Sequence, residues 1–174
     1  MSSRRKQGPG RGLLLEQLIL TGRRLSAATV MFHQTVAARL GLNPTDHKCA
    51  DFLLTRGPMT AGELATATGL TTGAITGVID RLEAAGYVRR DDDPRDRRRV
   101  VVRAVPAAIQ EIGTLFADLA ASTAALSERY SDAELAVILD FMDRSREALH
   151  EATVKLREKA GADGRRPHKR SRPR

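Results

Sequence analysis

Thr60-Ala61-Gly62-Glu63-Leu64-Ala65-Thr66-Ala67-Thr68-Gly69-Leu70-Thr71-Thr72-Gly73-Ala74-Ile75-Thr76-Gly77-Val78-Ile79-Asp80-Arg81-Leu82-Glu83-Ala84-Ala85-Gly86 is the stretch whose reading decides the fold. Thr60 followed three residues later by Glu63 is a capping-box pattern, and it opens a short helix through Ala67. Gly69 makes the turn. A second helix runs from about Thr72 to Ala85, and Gly86 stands where a helix C-terminal glycine belongs. Ala65 is small enough to let the second helix cross closely, Gly69 allows a positive φ, and Ile75 fills the corner between the helices. That spacing is the helix-turn-helix signal. A purely structural helix pair would satisfy it as well, so the outward side of the second helix carries the distinction.

At about 100° per residue, Ile75, Val78, Ile79 and Leu82 share one face and must be buried. The opposite stripe holds Gly73, Thr76, Gly77 and Asp80, flanked by Thr72 and Arg81. Two glycines inside a helix cost about 1 kcal/mol each relative to alanine. A solvated face gains nothing in return. A backbone that must come close to a groove does, and threonine hydroxyls beside it can bond phosphates or base edges.

The chain then continues Tyr87-Val88-Arg89-Arg90, a strand, followed by a charged turn from Asp91 to Arg98 around Asp93-Pro94, and a second strand at Val100-Val101-Val102. This β-hairpin carries seven arginines between residues 89 and 103 against Asp91, Asp92, Asp93 and Asp96. A basic loop beside such a helix can reach neighbouring phosphates or place an arginine in a narrow minor groove. Asp93 and Asp96 are expected to shape the loop, which leaves Arg95 at its tip as the cation freest to touch DNA.

Outward from this centre the pattern is helical. Leu14, Leu18, Leu25, Ala28, Phe32 and Val36 recur at helical spacing in one long helix from Leu13 to about Leu40, stopped near Gly41. Asn43-Pro44-Thr45 restarts a helix to about Arg56 with Cys49, Phe52 and Leu53 inward, and Gly57-Pro58 ends it. Pro106 opens another helix to about Arg129, with Ile109, Ile112, Phe116, Leu119, Thr123 and Leu126 on one face. Ser131 with Glu134 is a second capping box, opening a last helix through about Lys159 with Leu135, Ile138, Leu139, Met142 and Leu149 inward. The fold class is mainly α with a small β-hairpin.

The bulk numbers set bounds on this reading. With 174 residues and 41% hydrophobic side chains the chain can bury one core, and with only 3% aromatics it must build that core from aliphatic residues. The net charge of +8 suggests a polyanionic partner. Its distribution tempers that inference. Residues 1–11 carry four positive charges and residues 161–174 a net five, which leaves the intervening chain at −1. A single cysteine, Cys49, rules out an intrachain disulfide and fits a reducing cytoplasm. The apolar run Leu13–Leu20 is broken by Glu16-Gln17 and is too short for a membrane span, and it lacks the small-residue site that would follow a signal peptide.

The run from Gly69 through Arg90 resembles the recognition helix of MarR-like regulators, and Asp93-Pro94-Arg95-Asp96-Arg97-Arg98-Arg99 resembles that family's wing signature. The two are correctly spaced, and the likeness extends over roughly residues 12–160. It implies a winged helix-turn-helix with long N- and C-terminal dimerisation helices. The division it implies is a disordered basic tail (1–11), a dimerisation helix (12–40), a DNA-binding domain (41–104), dimerisation helices (105–160) and a second basic tail (161–174). It also implies a homodimer on a palindromic operator in double-stranded DNA, with the second helix in the major groove and the wing at the minor groove. By position, Thr71, Thr72, Thr76 and Arg81 would contact groove or phosphate, beside the small surface of Gly73 and Gly77. Arg95 would be the wing-tip contact, braced or extended by Arg97 and Arg98. Thr60 and Ala61 would offer backbone N–H groups to a phosphate. The resemblance further implies a small lipophilic or aromatic effector between the dimerisation helices and the DNA-binding lobe. One departure stands out: many relatives carry arginine directly after the helix threonine, where this chain has Gly77.

Other residues are read more plainly. Some MarR-like proteins sense peroxide through cysteine, but nearer the first helix, so Cys49 reads as an inert core residue. His33 and His47 lack the companions of a metal site, and His150 falls on the last helix as a surface or interface residue. No metal or cofactor is expected. No nucleophile–base pair or phosphate-cradling loop marks an enzyme. Two functions remain: a ligand-responsive repressor or activator in the cytoplasm, and an architectural, nucleoid-type DNA binder that uses the basic tails through counterion release.

Overall fold

The computed structural model describes residues 10–93 and 96–163. The expected terminal tails and the wing-tip residues Pro94 and Arg95 lie outside them, apart from the inner margins of the tails: α1 begins at Arg11 and α6 runs to Asp163, so both helices take in residues the sequence reading gave to tails.

Six helices and one hairpin follow in order: α1 (Arg11–Arg39), α2 (Pro44–Arg56), α3 (Ala61–Thr68), α4 (Thr72–Ala84), β1 (Val88–Asp93), β2 (Asp96–Ala104), α5 (Pro106–Ser127) and α6 (Asp132–Asp163). Two compact units divide them, one up to Ala117 and the other from Asp118 onward. The first unit holds the core. Leu64 of α3, Ile75, Val78, Ile79 and Leu82 of α4, Cys49, Ala50 and Leu53 of α2, Val36 and Leu40 of α1, Val88 and Val102 of the hairpin, and Ala108 and Ile112 of α5 form one buried cluster. The four apolar positions expected inside α4 are all there.

Local chemistry explains the element boundaries. Asn43 caps α2 by accepting from Asp46 N–H, with Pro44 at the first helical position. Thr60 and Glu63 form the expected reciprocal capping box on α3. Gly69 takes φ +72°, the left-handed turn that a side chain would strain, and this leaves only three residues between the end of α3 and the start of α4. Ser131 and Glu134 cap α6 in the same reciprocal way.

The hairpin differs from the sequence reading. Strands were expected at 87–90 and 100–102 with a long charged turn between them. The ladder instead runs from Val88↔Ala104 to Asp92↔Val100 with an irregularity at Asp92/Asp93, and most of the expected turn is strand. The reason is cross-strand charge pairing. Arg89 and Arg103 stand opposite each other, a repulsive pair in isolation, and Asp91 bonds both, at 3.0 and 3.2 Å. A further backbone bridge was not foreseen. Met59 N–H donates to Val102 O at 3.1 Å and Val102 N–H returns to Met59 O at 2.8 Å, which ties the wing to the segment before α3.

The long helices also differ. Leu14, Leu18 and Leu25 of α1, Ile109, Leu119 and Leu126 of α5, and Ile138, Leu139, Met142 and Leu149 of α6 were expected inward but are exposed in the single chain. Their helical periodicity is present, and among the described residues those positions are left exposed.

Candidate nucleic-acid interface

The outward face of α4 matches the sequence reading in composition. Thr72, Gly73, Thr76 and Asp80 are exposed and Gly77 is half-buried, opposite the buried Ile75, Val78, Ile79 and Leu82. Nothing lies within 4 Å of the point where a side chain on Gly73 would begin. Thr71 caps the helix by accepting from Ala74 N–H at 3.3 Å. The Thr76 hydroxyl donates to Thr72 O at 3.0 Å, so its proton is committed and its lone pairs face outward as acceptors.

Three sets of ion pairs hold this helix and its neighbours in place. Arg81 donates from Nε and Nη2 to the two carboxylate oxygens of Asp46 on α2, at 2.8 and 2.7 Å. Arg90 of β1 bonds both Asp80 and Glu83 of α4, so the wing's base is fastened to the C-terminal half of that helix. Arg99 of β2 reaches Glu63 of α3 at 3.3 Å. The hydrogen bonds that Arg90 donates, to Asp80 first and then to Glu83, raise its pKa above its ordinary value, and the bond to Asp46 does the same for Arg81. Of the wing arginines, 89, 90, 99 and 103 therefore spend their charge inside the fold. Arg98 is exposed with no acid partner among the described residues, and its N–H is fixed by Asp96 at 3.0 Å.

Two of the expected site residues have partners within the fold. The Thr60 N–H offered to a phosphate is already taken by the Glu63 carboxylate at 2.7 Å. Arg81, expected at the groove or a phosphate, also bonds a buried acid. Sequence reasoning missed that acid. Asp46 has the look of an ordinary capping residue three positions after Asn43, and it does bond Asn43 Nδ2 at 2.7 Å, which conceals its second role.

Comparison with known proteins fits this geometry. The MarR family model matches residues 40–99, which take in α2 through the arginine-rich part of β2. The uncharacterised HTH-type transcriptional regulator YcgE of Bacillus subtilis (strain 168) is 47% identical over 136 residues, spanning 78% of this chain and 88% of that protein. This chain belongs to the MarR family.

Solved structures agree on the fold. The MarR family protein from Bacillus stearothermophilus superposes with a TM-score of 0.58 at 22% identity, covering 84% of this chain and 99% of that one. The transcriptional regulator PA4135 gives 0.53 at 27% identity, covering 75% and 96%. The architecture is thus the winged helix of the MarR family, and the chain is a DNA-binding transcriptional regulator, not an enzyme. Within it Cys49 is fully buried, and burial first, then Asp46, pushes its thiol up to about 11 against the opposing pull of Arg81. The thiolate needed for redox chemistry is therefore scarce at neutral pH. Among the described residues no His, Cys, Asp and Glu cluster could hold a metal ion, and no helix is long and apolar enough to cross a membrane.

Proposed function

We propose that this MarR family regulator acts as a cytoplasmic homodimer that reads a palindromic operator. α4 enters the major groove through Thr71, Thr72, Gly73, Thr76, Gly77 and Arg81. The wing reaches the adjacent minor groove through Arg95, with Arg97 and Arg98 beside it, and Ala61 at the start of α3 faces a phosphate. The observation that carries this reading is the outward face of α4: small, glycine-containing and bordered by hydroxyls, on a helix fastened by ion pairs to α2 and the wing. The exposed leucines of α1 and α6 support dimerisation, because apolar faces of that extent are covered in stable proteins. Membership of the family supports regulation by a small lipophilic or aromatic effector.

The architectural alternative places DNA affinity in the basic termini. Removing residues 1–9 and 164–174 separates the two. The shortened protein keeps its preference for one DNA sequence while losing general affinity and salt sensitivity. Loss of all DNA binding with the termini overturns the specific-regulator reading.

A further inference from the structure

We propose that Asp46 buttresses Arg81 as a base-reading side chain, presenting its guanidinium fork to the O6/N7 edge of a guanine in the major groove. The inference rests on the reading of α4 as the groove-entering helix. It assigns Asp46 a positioning role.

The geometry is specific. The Asp46 carboxylate, only 2% exposed, takes the side edge of the guanidinium through Nε and Nη2. Asn43 Nδ2 donates to the same carboxylate, so Asp46 cannot swing away without losing a second partner. The end edge of the guanidinium stays available. No partner of Nη1 is found among the described residues, and the side chain of Arg81 is 56% exposed. Nη1 lies 3.5 Å from where a Cβ on Gly77 would sit, so the free fork lies along the outward face of α4. A Cβ there would be in ordinary contact, but any longer side chain would compete for the same lane.

Charge decides between a base and a phosphate. An unpaired arginine is drawn to the backbone phosphates, which carry the negative charge of DNA. The Arg81–Asp46 pair is neutral as a unit, so that attraction largely cancels. The planar, pre-oriented N–H fork remains, and it matches the two acceptors of guanine in the major groove. A carboxylate holding the other edge also removes much of the side chain's rotational freedom before binding.

The test uses the full-length protein and the duplex it selects from random DNA, with every base pair substituted in turn and affinities measured across salt concentrations. Wild-type protein is expected to prefer one G·C pair in each half-site by roughly 10- to 100-fold. Arg81→Lys erases that preference, leaves other positions intact and keeps the salt slope, and Arg81→Ala erases the same preference. Asp46→Asn weakens the same preference and steepens the salt slope by about one, as the released guanidinium turns to phosphate. Arg81→Lys retains a charge beside Asp46, so it carries the test where the other variants fail to fold. An unchanged base profile in folded Arg81→Lys makes the pair a structural clamp and overturns the proposal. A uniform loss of affinity with a slope shallower by about one makes Arg81 a phosphate contact and overturns it too. Wild-type protein that selects no sequence removes the specific-regulator reading and this inference with it.

Discussion

At the scale of single residues, the most consequential polar groups are those the first unit buries. His47 is 2% exposed, with Nε2 at 3.1 Å from Nδ1 of His33, while its own Nδ1 has no hydrogen-bond partner among the described residues. Burial first, then His33, lowers its pKa from 6.5; Lys48 lowers it further and Asp51 opposes them. A folded-state pKa below the unfolded one means stability that is complete above 6.5 and drains away as the pH falls through the lowered value. Thermal melts of wild type should therefore decline from about pH 6.5 downward, and His47→Gln should flatten that decline. Equal slopes in both proteins would show that His47 is not the group responsible. These details mark the limit of sequence reading. Cys49, Ile75 and Leu82 were legible as core because aliphatic periodicity reports burial. Asp46 and His47 were not, because a polar residue on the first turns of a helix looks the same whether it faces water or a partner 35 residues away in sequence.

Secondary-structure elements were legible in proportion to how local their causes are. α3, the turn at Gly69 and α4 follow from a capping box, a left-handed glycine and a four-residue apolar stripe, all within one short window. The wing was only half legible. Its outer strands are stabilised by pairs such as Arg103–Asp91, and the bridge at Met59 comes from beyond a proline, so both depend on partners that periodicity cannot name. Two predictions belong at this scale. Gly73 sits in a helix with open space around it. Gly73→Ala should stabilise α4 by up to about 1 kcal/mol while weakening DNA binding, since the added methyl meets the groove. Calorimetry and a binding titration read the two effects, and stabilisation with unchanged affinity would mean that α4 does not approach DNA so closely. Arg95→Ala should leave the melting temperature unchanged, reduce affinity and lower the salt slope by about one. Unchanged affinity would remove the wing tip from the interface.

At the scale of the whole molecule, the sequence placed the long helices correctly but could not say what covers them. Helical apolar spacing announces a face to be buried, and the single chain leaves Leu149 and Leu156 of α6 at 70% and 68% exposure. A second copy would cover such faces, so Leu149→Glu together with Leu156→Glu should shift sedimentation from dimer to monomer and weaken operator binding through lost avidity. A monomeric wild type would refute that assignment. Dimer and recognition helix together make one combined demand on the DNA. Selection from a randomised duplex library with the full-length protein tests it most directly. The expected result is an inverted repeat whose half-sites are centred roughly 10 base pairs, one helical turn, apart. Recovery of no repeat, with all sequences bound alike, would contradict it.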